Sequence, residues 1–205
     1  MNIETLGQLA TLRYDSAGLI PVIAQHASTG EVLMLGYANR ESLEQTLESR
    51  TLWFYSRRRA QLWQKGETSG NTLRLVSLHA DCDHDALLAR VLPSGPTCHT
   101  GERSCFGASP PLVALADVID ARMNASASGS YTAKLLNDTN LRLKKLGEEA
   151  VELALACSAD DEVRIPEEAA DLLYHIMVAA RAQGVHLEQV LAVLSDRADP
   201  SGAGR

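Results

Sequence analysis

Between residues 81 and 106 the chain reads Asp81-Cys82-Asp83-His84-Asp85, then Cys98-His99-Thr100-Gly101, then Ser104-Cys105-Phe106. Three of the four cysteines and three closely spaced aspartates fall in that window. Thiolates suit a soft, tetrahedral metal such as zinc, and carboxylates suit a hard one such as magnesium. Three cysteines leave a tetrahedral zinc one ligand short, and an open fourth position is what a catalytic zinc needs to hold water. A structural zinc completed by His99, or reduced cysteines without metal, are the other readings these residues allow. In an extended segment Asp81, Asp83 and Asp85 point one way while Cys82 and His84 point the other, which separates a carboxylate trio from a thiolate.

A second set lies much further along: Glu148, Glu149 and Glu152, then Glu168 and Asp171. On a helix the first three form one acidic stripe, and Glu168, Asp171 and His175 share a face at i, i+3 and i+7. Two such faces brought together repel unless a divalent cation sits between them, and magnesium with phosphate is the natural occupant. Ordinary solvated acidic helix faces are the plain alternative. The stretch from Ser56-Arg57-Arg58-Arg59 to Lys65-Gly66-Glu67-Thr68-Ser69-Gly70 mixes cations with a Gly/Ser/Thr turn. Guanidinium and backbone N–H donors of that kind suit phosphate, though a solvated hairpin would carry the same residues. Cys157, in an apolar run, is expected to be a buried bystander.

The elements that must position these groups change character midway. Short apolar runs at 20–25, 32–35, 51–56, 73–79 and 86–92 read as strands; in the fourth, Leu73, Leu75 and Ser77 alternate with Arg74, Val76 and Leu78. Residues 39–50 read as a helix capped by Asn39. Beyond the Gly107-Ala108-Ser109-Pro110-Pro111 joint the period becomes helical, with Leu112, Leu115 and Ile119 on one face. The small, polar run 124–130 breaks that pattern, and further helices are expected at about 131–158, 167–182 and 186–195. Pro166 before Glu167-Glu168 marks a helix start. The expected fold is thus two domains, a β-rich α+β domain over 1–107 and an all-α helical bundle over 108–205. Each is small enough to need metal or a partner subunit for stability.

Bulk composition narrows the function classes. The 205 residues are 45% hydrophobic and 22% charged, ordinary for a soluble globular chain. The formal charge of -7 argues against nucleic acid as the main partner. Residues 1–107 hold 10 Lys/Arg against 11 Asp/Glu, and residues 108–205 hold 9 against 15, so the acidity belongs to the second half. No signal peptide and no membrane span are read, and cytoplasm is the expected compartment.

VLMLGY (32–37), Ser56-Arg57, LWQKGETSG (62–70), DCDHD (81–85) and GPTCHTGERSCF (95–106) together closely resemble phosphoribosyl-AMP cyclohydrolase, an enzyme of histidine biosynthesis. The likeness covers roughly residues 20–107. It implies a homodimer with zinc at the subunit interface, Cys82 of one chain joining Cys98 and Cys105 of the other. Asp81, Asp83 and Asp85 would hold magnesium, and His99 would sit beside the metal cysteine as a proton shuttle. Arg57, Lys65, Thr68 and Ser69 would position the substrate. Gly36, Ala38 and Gly107 depart from the family pattern outside that ligand set.

EEAVE (148–152) with EAAD (168–171) looks like the magnesium signature of all-α nucleotide pyrophosphohydrolases, a scaffold shared with nucleoside triphosphate pyrophosphatases. Adding SYTAKLL (130–136), KKLGEE (144–149) and ADLLYH (170–175) makes it similar to phosphoribosyl-ATP pyrophosphohydrolase over roughly 112–197. Asn137-Asp138-Thr139-Asn140 stands where that family often has a glycine turn. The resemblance implies Glu149, Glu152, Glu168 and Asp171 as magnesium ligands and Glu148 as candidate base. Lys134, Lys144, Lys145 and His175 would contact phosphate. The order of the two halves resembles the bifunctional fusion of histidine biosynthesis, acting on phosphoribosyl-ATP and phosphoribosyl-AMP as a homodimer or larger.

Overall fold

The computed structural model describes residues 1–124 and 129–198. The chain divides into two units, Met1–Pro110 and Pro111–Arg205. The first is β-rich α+β and the second all-α, as the change of period predicts.

In the first unit a 3-10 turn (Leu6–Thr11) precedes β1 (Ile20–His26), β2 (Val32–Ala38), α1 (Arg40–Ser49), β3 (Trp53–Ser56), β4 (Gln61–Gln64), β5 (Leu73–Ala80) and β6 (Leu87–Pro93). The main sheet runs β2-β1-β6-β5, with β1 and β6 parallel and the outer pairs antiparallel; β3 and β4 form a separate hairpin. Ile20, Val22 and Ala24 of β1 and Leu87, Ala89 and Val91 of β6 are buried with half-buried residues between them. That period of 2 is a sheet packed hard on one face. Asn39 caps α1 by accepting from the Ser42 N–H at 2.9 Å, and Leu43 carries the helix into the core. A Cβ on Gly36 would lie 2.4 Å from the ring of the fully buried Phe54, so the glycine lets β2 approach that ring.

The alternation over 73–79 is not continuous: register against β6 slips between Leu75 and Ser77. Leu73 and Leu75 are buried, Val76 is exposed, and Leu78 and Ala80 are buried again, because a bulge inserts one residue and resets the phase. Nor are residues 81–85 extended. They form the tight loop between β5 and β6, because the Asp81 carboxylate accepts from the N–H groups of Asp85 and Ala86 at 3.0 and 3.2 Å.

The second unit consists of α2 (Pro111–Asn124), α3 (Tyr131–Asn137), α4 (Thr139–Ser158), α5 (Arg164–Ala182) and α6 (Leu187–Ala198). The chain-breaking run 124–130 falls mostly outside the described residues, which exclude 125–128. The helix expected over 131–158 is two helices. Asp138 ends α3 and caps α4, its carboxylate accepting from the Leu141 N–H at 3.0 Å. Buried Arg142 then donates to the carbonyls of Leu135 and Leu136 at 2.8 and 2.9 Å and to Thr139 Oγ1, tying α4 to the end of α3. Helix α5 starts earlier than Pro166 marks, since Asp161 Oδ1 accepts from Val163 and Arg164. Pro166 is tolerated in this first turn, where its missing donor is not needed.

Ile119, Leu135 and Val178 form a small buried cluster, with Leu115, Leu136, Leu141, Tyr174 and Met177 against it. Leu143, Val151 and Leu155 of α4 and Leu173 and Ile176 of α5 are exposed. Cys157 is exposed too, contrary to expectation, because the face of α4 that carries it meets no other described residues closely enough to bury it. No described helix is long and apolar enough to cross a membrane.

Candidate metal and substrate sites

The β5–β6 loop draws its own carboxylates together. Asp81 N–H donates to the Ala86 carbonyl at 3.1 Å, closing the loop, and His84 adopts a left-handed φ of 65°. The His84 carbonyl accepts from Arg13, and its Nδ1 lies 3.3 Å from the Thr11 carbonyl. Ligand atoms of Asp81, Asp83 and Asp85 consequently lie within 4.8 Å of one another, all on exposed residues. Desolvation works against ionised Asp81, yet the N–H groups of Ala86 and Asp85 hold its carboxyl below the usual range. The charge of Asp83, then desolvation and Asp81, pushes Asp85 up. That repulsion is what a hard cation would relieve.

Cys98 and Cys105 are brought together by a turn and a strand edge. Gly101 N–H donates to the Cys98 carbonyl at 3.1 Å and Cys98 N–H to the Glu102 carbonyl at 2.9 Å. The chain then returns along β2, with Cys105 N–H donating to the Leu33 carbonyl at 2.8 Å and Ser104 Oγ to the Val32 carbonyl at 2.7 Å. The two thiols lie close enough for each to shift the other's pKa, and both line one cleft. Thr100 Oγ1, donating to Cys98 Sγ at 3.1 Å, is the largest influence holding that thiol below its ordinary pKa. Burial, followed by the Cys98 charge, raises Cys105. A thiolate beside a second thiol is a fitting start for a zinc site. Cys82 stands apart in the aspartate loop, and no third ligand group within 4.8 Å joins the pair among the described residues.

The pair faces a cleft of about 580 Å³ lined also by Arg59, Lys65, Thr68, Ser69, Asn71 and His99. His99 is exposed, its Nδ1 3.7 Å from Cys98 Sγ. Gly66 has φ 90°, and a Cβ there would lie 2.4 Å from the Asn71 backbone, so the loop carrying Lys65, Thr68 and Ser69 needs glycine to close. Arg57 is not among the lining residues; its guanidinium stacks 3.7 Å from the Tyr37 ring centroid.

In the second unit Glu149 and Glu152 of α4 meet Glu168 of α5, their oxygens within 4.8 Å of one another. Glu149 and Glu168 are buried, and each is held by a cation one turn before it on its own helix. Lys145 lies 3.0 Å from Glu149, and Arg164 lies 2.5 Å from Glu168. Exposed Glu152 is raised by the charge of Glu168, then by desolvation and Glu149. Glu148 points instead to Lys145 and Lys144 at 3.0 and 3.2 Å, which hold its carboxyl below the usual range. Asp171 is exposed and outside the trio, though its charge acts on His175. His175 is buried, with Nε2 3.7 Å from Glu149 and Nδ1 without a partner. Burial lowers its pKa despite Glu149. Lys134 lines a different cleft, with Tyr131 and Asn137.

The family description of phosphoribosyl-AMP cyclohydrolase matches residues 34–107, and that of phosphoribosyl-ATP pyrophosphohydrolase matches residues 112–198. The chain is 48% identical over 185 residues to the histidine biosynthesis bifunctional protein HisIE of Escherichia coli K12, covering 88% of this chain and 91% of that protein. It is 46% identical over 201 residues to the protein of the same name from Bacillus subtilis 168, covering 93% and 96%. The Shewanella oneidensis counterpart is 46% identical over 199 residues, covering 95% and 94%. The chain belongs to the bifunctional cyclohydrolase–pyrophosphohydrolase family of histidine biosynthesis. It is accordingly a hydrolase, and the resemblance carried by its motifs is borne out.

Within this bifunctional hydrolase the sequence singled out the two acidic clusters and the cysteine pair. It did not single out Arg59, Asn71, Thr100 or Arg164. Arg59 belongs to the arginine run already noted, but which arginine enters the cleft depends on the β3–β4 hairpin. Thr100 and Arg164 lie two and four residues from a Cys and a Glu respectively, a proximity too common in sequence to stand out.

Proposed function

We propose that the chain performs two consecutive hydrolyses, the pyrophosphohydrolase step in residues 108–205 and the cyclohydrolase step in residues 1–107. Phosphoribosyl-ATP would be cut between its α and β phosphates, releasing pyrophosphate and phosphoribosyl-AMP. Water would then add at C6 of the N1-substituted adenine, and the N1–C6 bond would open. The observation that carries this reading is the pairing, in one chain, of a helical carboxylate trio with a thiol pair opening on a Lys/Thr/Ser-lined cleft.

For the first step, Glu149, Glu152 and Glu168, with Asp171 at the margin, would hold magnesium. Bound there it would neutralise the triphosphate and orient water. Lys145 and Lys144 would meet the phosphates, with Lys134 reaching them only from its neighbouring cleft, and buried His175 would act through Glu149. Glu148 is the candidate base, but two lysines weaken it; its basicity rises once they turn to phosphate.

For the second step, Cys98 and Cys105 would hold zinc with Cys82 of a second chain, and Asp81, Asp83 and Asp85 would hold magnesium. Zinc held there would supply a Lewis acid that lowers the pKa of water toward neutrality. His99, exposed beside Cys98, would carry the proton to the leaving ring nitrogen. Lys65, Thr68 and Ser69 would receive the substrate phosphate with Arg59 in the same cleft, and Arg57, stacked on Tyr37, would add positive charge from outside its lining. A homodimer or larger assembly is supported by the apolar side chains left exposed on α4 and α5 and by the distance of Cys82 from the thiol pair.

The test is to incubate pure protein with phosphoribosyl-ATP, Mg²⁺ and Zn²⁺ while following pyrophosphate and the ring-opened product together. Glu152→Ala should cut pyrophosphate release by more than the roughly 100-fold typical of losing an outer partner of a metal ligand, yet still open supplied phosphoribosyl-AMP. Cys98→Ala should release pyrophosphate and accumulate phosphoribosyl-AMP. Parent-rate pyrophosphate release by Glu152→Ala, or full ring opening by zinc-free Cys105→Ala, would refute the corresponding half.

A further inference from the structure

Glu31 has no part in either proposed step, yet it is 1% exposed. A buried carboxylate is costly unless the structure compensates it. Here the compensation comes from the stretch that follows the cleft. Ser109 Oγ donates to Glu31 Oε1 at 2.8 Å, and Arg103 Nε lies 3.3 Å from Oε2. The Arg103 contact is a charge pairing, since Oε2 takes no well-aligned hydrogen bond. Glu31 is itself fixed at the β1–β2 turn, its carbonyl accepting from His26 at 2.8 Å.

The segment it holds is the one that delivers Cys105. Residues 104 and 105 dock on the free edge of β2 through Ser104 Oγ to Val32 and Cys105 N–H to Leu33. A strand-edge contact that short specifies its register weakly, and a slip of one residue would turn the next side chain to the opposite face. Arg103 precedes the docked pair and Glu31 precedes Val32, so their charges meet at the end of the docked segment. The Arg103 carbonyl also accepts from Thr97 N–H at 3.3 Å, beside Cys98, so fixing Arg103 fixes both arms of the turn.

We infer that Glu31 is a positioning residue for the Cys98–Cys105 pair: its buried carboxylate, held against Arg103 and Ser109, sets the register in which the two thiols meet. The inference rests on the proposed zinc reading of that pair. It acts through the ligands, touching neither metal nor substrate.

The experiment is a Co²⁺ titration of the metal-stripped full-length protein, followed by the thiolate-to-cobalt absorption band. Glu31→Gln keeps the shape and the Ser109 contact but removes the charge. It should weaken cobalt binding about 10- to 100-fold, the usual consequence of losing an outer partner of a metal ligand. Pyrophosphate release in the same samples reports on the integrity of the second unit. Arg103→Met, at a side chain 36% exposed, should give the same loss if Glu31→Gln folds poorly. The double variant should be no weaker than Arg103→Met alone, because the Glu31–Arg103 pairing is already lost in that single variant. Parent affinity and an unchanged band in Glu31→Gln or Arg103→Met would overturn the inference, as would a lowered melting temperature with the band intact. A parent protein showing no thiolate band would instead refute the zinc reading on which it stands.

Discussion

The two units solve the same problem, gathering like charges, with different means. In the first, Asp81, Asp83 and Asp85 sit on one five-residue loop whose own N–H groups stabilise Asp81, above a core running from Ile3 to Val91. In the second, the glutamates come from two helices, and the buried members are each paired with a cation, over a core centred on Ile119, Leu135 and Val178. A site made by local backbone turns survives as long as its loop closes. One assembled between helices is only as firm as their packing, and the exposed Leu143, Val151 and Leu155 of α4 leave apolar surface uncovered among the described residues.

The largest expected effect tests that exposed surface. Leu155→Asp should weaken self-association at least ~30-fold, the scale of losing an interface hot spot, as read by sedimentation, and pyrophosphate release should fall with it. If Leu155 instead faces solvent, the change should leave stability within about 0.5 kcal/mol of the parent. Next is Arg142→Met, which removes the donors bonded to Leu135, Leu136 and Thr139. It should cost the second unit about 2–4 kcal/mol in urea unfolding and weaken Mg²⁺ binding at the glutamates, leaving the aspartate loop untouched. Equal losses at both clusters would erase the distinction between local and tertiary assembly.

A smaller effect concerns pH. The folded-state pKa of Glu152 is raised above its unfolded value, first by the charge of Glu168, so its ionised form opposes folding. That penalty is present above the raised value and vanishes as pH falls through it. Metal-free protein should therefore gain stability on acidification through that window, and Glu152→Gln should give the same gain at neutral pH. With saturating Mg²⁺ the sign should reverse, because a proton then competes with the cation; thermal melts across pH with and without Mg²⁺ check both arms. The smallest change is Asp85→Asn, which relieves repulsion from Asp83 and Asp81. It should raise the melting temperature of metal-free protein slightly and lower Mg²⁺ affinity at the loop.

Legibility in the sequence followed the range of the forces involved. Strands β1, β2, β3 and β6 and helix α1 announced themselves through period, apolar runs and the Asn39 cap, all of which act between near neighbours. β4 did not, since QLWQ holds only two apolar residues and is fixed by pairing with β3. The break at Asp138 was hidden because the apolar spacing runs through it, while the side chain caps the next helix. Ligand types were readable, but not which cation enters a cleft: Arg57 was the expected contact, while its guanidinium stacks on Tyr37 and Arg59 lines the cleft. Cys157 misled for the same reason. An apolar neighbourhood in sequence implies burial only when something packs on that face.

The central pair of the first sheet has a consequence for how the chain reaches its fold. Strand β1 lies parallel to β6, Val22 opposite Leu87, so an early strand waits for the last one of its sheet. Closing so long an intervening loop delays the pairing, whereas α4 and α5 are near neighbours along the chain. During synthesis the β1–β2 hairpin therefore leaves the ribosome with its inner edge unpaired until residues 87–93 follow. Interrupting synthesis before that point would yield a nascent chain prone to clumping, in which the cleft cannot exist.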